Sequence, residues 1–125
     1  MASLRVFVVE DSGVFRDALA EALGEIPATI VGHAEDEATA AAWLEANACD
    51  LVIVDLWLRT GSGLGLMRTL HAAPRTFRWV VLSSFVDEST RRAATALGAG
   101  RAFDKASDMD QLVAYGRELA DERTR

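Results

Sequence analysis

The sequence predicts an α/β domain built on a parallel sheet, and three observations carry that prediction. Short apolar runs alternate five times with longer segments of helical spacing. The run Leu51-Val52-Ile53-Val54 is wholly apolar and mostly β-branched, as a strand buried on both faces requires, and it ends on Asp55. The chain of 125 residues is half hydrophobic and 26% charged, which makes 1–125 a single core-forming domain with no internal linker.

Leu4 to Val9 is the first strand, apolar except for Arg5. Glu10 to Gly13 form a turn. Val14, Phe15, Ala18, Leu19, Ala22 and Leu23 then recur on one helical face until Gly24 and Pro27 stop the helix. Ala28 to His33 is a short second strand. Asp36 is placed to cap an alanine-rich helix through about Asn47, with Ala38, Ala41, Trp43, Leu44 and Ala48 on its inner side. Leu51 to Val54 is the third strand, and the glycine-rich segment Leu56 to Gly65 is a loop. Leu64, Met67 and Leu70 mark a third helix closed by Pro74. Trp79 to Ser83 is the fourth strand, apolar until the hydroxyl at its end. Asp87 to Leu97 is a fourth helix stopped at Gly98; its apolar stripe of Ala93, Ala94 and Leu97 is thin, which predicts a mobile element. Arg101 to Asp104 is the fifth strand. Ser107 and Asp110 form a capping-box-like start to a last helix carrying Met109, Leu112, Val113, Gly116, Leu119 and Ala120, and the polar tail Asp121 to Arg125 is expected to fray.

Composition narrows the function. A net charge of −6 disfavours nucleic acid, whose phosphates require a basic footprint, and Arg91-Arg92 is too short to reverse it. The lone Cys49 leaves no internal disulfide and no zinc pattern, and is read as a packing residue. No leader or membrane-spanning run stands out, so a cytoplasmic location without membrane attachment is expected.

In a parallel sheet all strands deliver their carboxyl ends to one edge, the edge at which open α/β sheets bind and react. Here those ends are Glu10 and Asp11, Asp55, Ser83 and Ser84, and Lys105; the second strand ends at His33, expected to be a surface histidine. Three neighbouring carboxylates repel. One pair at about 4 Å and an effective dielectric of about 20 costs about 4 kcal/mol. Either their pKa values rise or a cation joins them, and an all-oxygen donor set suits Mg²⁺ better than zinc. The plainer alternative is an acidic cluster neutralised by Lys105. A hydroxyl and an ammonium facing acidic groups also suit a phosphoryl group.

At this point the sequence resembles the response-regulator receiver family, over essentially the whole chain. The resemblance rests on Val8-Val9-Glu10-Asp11-Ser12, Ile53-Val54-Asp55-Leu56, Gly61-Ser62-Gly63-Leu64, Val81-Leu82-Ser83-Ser84, Gly98-Ala99 and Phe103-Asp104-Lys105, in order and at family-like spacing. It implies a flavodoxin-like, doubly wound (βα)5 fold with strand order 2-1-3-4-5. It further implies that Asp55 is the phosphoacceptor. Glu10, Asp11, Asp55 and the backbone carbonyl of Trp57 would be Mg²⁺ ligands, Ser83 the switch hydroxyl, and Lys105 the conserved lysine. The chain would then be no enzyme but a phosphoacceptor that assists its own phosphorylation and dephosphorylation. Its donor would be a histidine kinase or a histidine phosphotransfer protein. Its output would run through the fourth helix, fifth strand and fifth helix, where a second copy could also dock.

Several positions depart from the family pattern. The first acidic pair is Glu10-Asp11 where two Asp are usual, and Ala106 follows Lys105 where Pro is common. The aromatic expected three residues before the lysine is replaced by Ala102, while Phe103 should face the other side of the strand. That calls into question the usual inward swing of an aromatic behind the switch hydroxyl. Trp57 and Phe85, each two residues past a site residue, are expected to flank the phosphoryl site and slow the attack of water. Two other functions compete. A Mg²⁺-dependent, haloacid-dehalogenase-type phosphatase would carry a second Asp where Trp57 stands. A plain interaction module would leave the intact Asp55 and Lys105 unused.

Overall fold

Strands that are apolar on both faces must be covered on both faces, and the helices between them supply the two layers. The structure, a computed structural model, describes residues 3–72, 76–84 and 86–123. Five strands, β1 (Leu4–Val9), β2 (Ala28–Ala34), β3 (Leu51–Val54), β4 (Arg78–Ser83) and β5 (Ala102–Asp104), alternate with five helices. These are α1 (Gly13–Leu23), α2 (Glu37–Ala46), α3 (Gly63–His71), α4 (Glu88–Ala96) and α5 (Met109–Arg123). The strands pair in parallel in the order β2-β1-β3-β4-β5, the flavodoxin-like arrangement.

Alternation along the strands divides the core. Val6, Val8, Ile53, Val80, Leu82 and Phe103 face α1 and α5, where they meet Leu19, Leu23, Leu112 and Leu119. Phe7, Val9, Val52, Val54, Trp79 and Val81 face α2, α3 and α4, against Ala40, Leu44, Leu66, Met67 and Ala94. Ala102 packs half-buried on the second face while Phe103 is buried on the first, as strand alternation requires. Four helices open on a capping side chain: Ser12 accepts from the Phe15 N–H, Asp36 from Thr39, Ser62 from Gly65 and Asp87 from Thr90. Such a cap stabilises its helix by about 1 kcal/mol. Gly98, with φ of +102°, ends α4 as its position suggests.

Several expectations require correction. Val14 is 84% exposed and Ala18 is exposed as well. Val14 lies in the first turn of α1, beside the strand ends, where little sheet lies beneath it. Ala38 and Ala48 are also exposed, and Ala40 takes the inner position of α2; alanine at so many positions gives no usable periodicity. β2 runs one residue further, to Ala34. The loop after Asp55 ends at Ser62, because Ser62 caps α3. The Ser107–Asp110 box is replaced by Asp108, which precedes the first residue of α5. The Asp108 carbonyl accepts from Leu112 N, and its carboxylate accepts from Asp104 N at 2.8 Å and from Ser107 Oγ at 3.3 Å. The expected frayed tail is helical through Arg123. Pro74 and Phe85 lie outside the described residues. The thin stripe of α4 is as expected, with Ala94 its buried residue.

The end of α5 is held by charge at the amino edge of the sheet. Asp50 Oδ1 lies 2.9 Å from Arg123 Nη1 and 3.2 Å from Arg5 Nη2, and Asp50 Oδ2 accepts from Arg5 N at 2.7 Å. Burial raises the Asp50 carboxyl, but the bonds from Arg5 and the charge of Arg123 outweigh it and hold the group below its ordinary 3.8. A depressed folded-state pKa contributes stability that is present above the unfolded value and lost as pH falls through the folded one. Asp50→Asn is therefore expected to lower stability by about 1–2 kcal/mol at neutral pH, with the deficit closing at an acid pH where the folded and the unfolded carboxyl are both protonated. Urea unfolding of both proteins at the two pH values measures it.

Candidate functional site

The ladder positions the site by continuing one residue past the strands. Glu10 N donates to Ala34 O and Asp55 N to Val9 O, each at 2.9 Å, and Lys105 N donates to Ser83 O at 3.0 Å. Register sets Val9 beside Val54, Val54 beside Val81, and Ser83 beside Asp104. Glu10, Asp55, Ser83 and Lys105 are thus delivered side by side to the carboxyl edge, at the switch between β1 and β3.

Asp55 is only 5% exposed and both of its oxygens are engaged. Oδ1 accepts from Ser83 Oγ at 3.1 Å and from the Trp57 N–H at 3.0 Å, while Oδ2 lies 2.9 Å from Lys105 Nζ. Glu10, 3% exposed, meets the same ammonium at 2.5 Å and accepts from the Ser12 N–H at 3.1 Å. Asp11 accepts from the Arg59 N–H at 2.8 Å, with Arg59 Nε at 3.8 Å from the same oxygen. One oxygen from each of Glu10, Asp11 and Asp55 lies within 4.8 Å of the others. Lys105 Nζ also sits 4.4 Å from the centre of the Phe15 ring, a cation–π contact.

The electrostatics follow from burial and from the shared cation. Burial pushes the Glu10 carboxyl up, against the opposing pull of Lys105 and the Ser12 N–H. Burial alone would lower Lys105; its bonds to Glu10 and Asp55 outweigh that and raise it, so the ammonium stays charged at neutral pH. A largely buried lysine shared by two buried carboxylates, beside a third carboxylate that is partly exposed, forms a polar cluster that can hold a hard cation and pair with anionic oxygens.

Of the residues singled out from the sequence, Glu10, Asp11, Asp55, Ser83 and Lys105 come together. Ser84 is exposed beside its buried neighbour, and His33 is on the surface as expected. Trp57 is 55% exposed and touches Asp55 through its backbone N–H. Sequence reasoning missed three participants, Arg59, Arg16 and Glu37, and gave Gly63 no role beyond its motif. Arg59 engages Asp11 across 48 residues. Arg16 Nη1 donates to the Glu10 carbonyl at 2.7 Å and pairs with Glu35 at 3.2 Å. Glu37 accepts from Ser62 N at 2.9 Å and so fastens the loop after Asp55 to α2. Gly63 lies against the backbone of Asp55 itself. The one available signal was that Arg59 is the only basic residue in the stretch from Leu56 to Gly65.

The fold and this edge define a doubly wound α/β protein with a charged polar site at its topological switch point. The response regulator receiver domain model matches residues 6–117, and the chain belongs to that family. Among characterised relatives, the DNA-binding transcriptional activator DevR/DosR of Mycobacterium tuberculosis is 32% identical over 96% of this chain and 58% of its own length. A protein-glutamate methylesterase/protein-glutamine glutaminase of Desulfotalea psychrophila is 30% identical over 83% of the chain and 29% of its own length. The chain thus spans a little over half of the first and under a third of the second. The signal receiver domain of NarL from M. tuberculosis superposes with a TM-score of 0.86 at 22% identity, covering 97% of this chain and 98% of that one, and confirms the fold.

Gly63 gives a direct test of how the acceptor is seated. A Cβ there would lie 2.3 Å from the Asp55 carbonyl oxygen and 2.5 Å from Val54 Cγ1, distances that force the β3 end to move. Gly63→Ala is expected to destabilise the protein by about 1–3 kcal/mol, read by thermal melting.

Proposed function

We propose that the chain works as a two-component receiver that takes a phosphoryl group onto Asp55 from a phosphohistidine on a histidine kinase or phosphotransfer protein. The observation that carries this is the environment of the Asp55 carboxylate. It is buried at the switch point, with a hydroxyl and an N–H on one oxygen and an ammonium on the other. An Asp55 oxygen attacks phosphorus, the P–N bond breaks, and the imidazole leaves with its electron pair. Lys105 and Ser83, now beside Asp55, are placed to pair with the phosphoryl oxygens, and the Trp57 N–H to orient the acceptor.

The donor set fits Mg²⁺. Three carboxylate oxygens lie within 4.8 Å of one another, no nitrogen or sulfur ligand is among them, and Asp11 reaches toward solvent. Glu10, Asp11 and Asp55 would hold it, with the Trp57 carbonyl as a further oxygen ligand. When bound, Mg²⁺ neutralises charge between the acceptor and the incoming phosphoryl oxygens.

Family membership and this geometry favour a phosphoacceptor over an enzyme. A phosphatase would require a second carboxylate near Asp55 to protonate the leaving group, and Trp57 occupies the candidate position. The interaction-module reading is weakened by the complete set of Asp55, Ser83 and Lys105. The surface of α4, β5 and α5 is the proposed output face and the place for a second copy to dock. The net charge of −6 argues against direct nucleic-acid contact by residues 1–125, read as one domain. A DNA-binding output is a property of the relative DevR/DosR, and here it would belong to a partner or to further chain.

Acetyl phosphate with Mg²⁺, followed by intact mass, tests the proposal. A single phosphoryl adduct is expected, absent from Asp55→Asn and without Mg²⁺, and formed about tenfold to a hundredfold more slowly by Ser83→Ala. Turnover of acetyl phosphate without an adduct would favour the phosphatase, and no reaction the interaction module.

A further inference from the structure

Two cations face the three carboxylates, and they differ in burial and in bonding. Lys105 is largely buried, bonded to both Glu10 and Asp55, and stacked over Phe15. To leave, it would have to strand two buried carboxylates without a partner, which costs several kcal/mol. Arg59 is 82% exposed on its side chain, and its guanidinium stands 3.8 Å from Asp11, at the outer limit of an ion pair. Water reclaims such a group at little cost.

The backbone of Arg59 does a separate task. Its N–H holds Asp11 Oδ2 at 2.8 Å. The loop that carries it is fastened further along, where Ser62 N donates to Glu37 Oε1 at 2.9 Å. Asp11 therefore keeps its aim when the guanidinium departs. The two contacts separate aiming from neutralising, and only the second is released by a side-chain rotation.

We propose that Arg59 is the exchangeable counter-ion of this cluster, and that a divalent cation enters by taking the place of its guanidinium on Asp11 while Lys105 stays. The inference rests on the reading of Glu10, Asp11 and Asp55 as a Mg²⁺ site. It makes Arg59 a positioning residue through its backbone and a brake on cation uptake through its side chain. A Mg²⁺ ion must compete with the tethered positive charge, and the competition is screened by salt.

The test is a calorimetric Mg²⁺ titration of wild type, Arg59→Ala and Arg59→Lys at low and high salt, with intrinsic fluorescence as a second readout. Arg59→Ala is expected to bind Mg²⁺ about threefold to fivefold more tightly than wild type at low salt. That advantage should vanish near 1 M salt, where the screening length is about 3 Å. Arg59→Lys keeps the charge and should stay within about twofold of wild type. In metal-free buffer Arg59→Ala should melt about 2 °C lower, because Asp11 has lost its counter-charge, and saturating Mg²⁺ should close the gap. Equal or weaker binding by Arg59→Ala, or an advantage that survives high salt, would overturn the inference while leaving the metal site in place. A wild-type chain that takes up no Mg²⁺ at millimolar concentration would overturn the site itself and the inference with it.

Discussion

The ammonium of Lys105, shared between Glu10 and Asp55, is the interaction on which the edge of this protein depends. Two carboxylates below a tenth exposed would each cost several kcal/mol to bury as anions without a partner. One buried cation offsets both. Geometry makes this workable: all three residues directly follow strands, and each extends the sheet ladder with its own N–H. The charges are therefore held by the backbone of β1, β3 and β5, and breaking the pair would disturb the sheet end as well as the site.

Once Lys105 is in place, the remaining balance is set by what the cluster lacks. Three carboxylates and one ammonium leave two negative charges. Asp11 carries the accessible share, because Glu10 and Asp55 are covered. The backbone spends three N–H groups on these carboxylates: Ser12 on Glu10, Trp57 on Asp55 and Arg59 on Asp11. Fixed donors of this kind aim the oxygens without adding charge, so the net negative charge of the cluster is left in place. The same loop supplies two of the three donors, and Glu37 and Gly63 determine where that loop sits.

The five strands and their polar ends were legible because a strand buried on both faces leaves an unbroken apolar run, and such a run has a visible last residue. Asp55 and Ser83 are marked in that way. The helices were less legible. α2 is so rich in alanine that inner and outer positions look alike, and Val14 belongs to the right periodicity at a place with little sheet beneath it. The last turn of α5 reads as a polar tail because its anchor, Asp50, is 73 residues away. The Arg59–Asp11 contact was illegible for the same reason: it depends on how a loop after β3 folds over the end of β1, and no local spacing encodes that.

β5 departs from the family pattern in where its aromatic packs. Ala102 offers no ring on the α4 side, and the neighbouring aromatic, Phe103, is committed to the opposite core, edge-on to Tyr115 at 6.0 Å with Arg101 over its face at 5.2 Å. Turning Phe103 to the α4 side would invert the strand and expose a buried ring, at a cost of about 2 kcal/mol or more. β5 therefore presents no ring on the α4 side. What holds α4 instead is small: the buried Ala94, half-buried Ala93 and Leu97, and a long 3.5 Å contact from Arg91 to the Ala102 carbonyl. A buried methyl group contributes about 0.8 kcal/mol, and a hydrogen bond to a charged group, such as Ser83 to the Asp55 carboxylate, about 1.5–3 kcal/mol. The hydrogen bond is the larger of the two terms. Under the proposed acceptor role, redirecting the Ser83 hydroxyl from Asp55 to a phosphoryl oxygen would exchange an interaction larger than the burial of one methyl group under α4, and no ring would have to move for it.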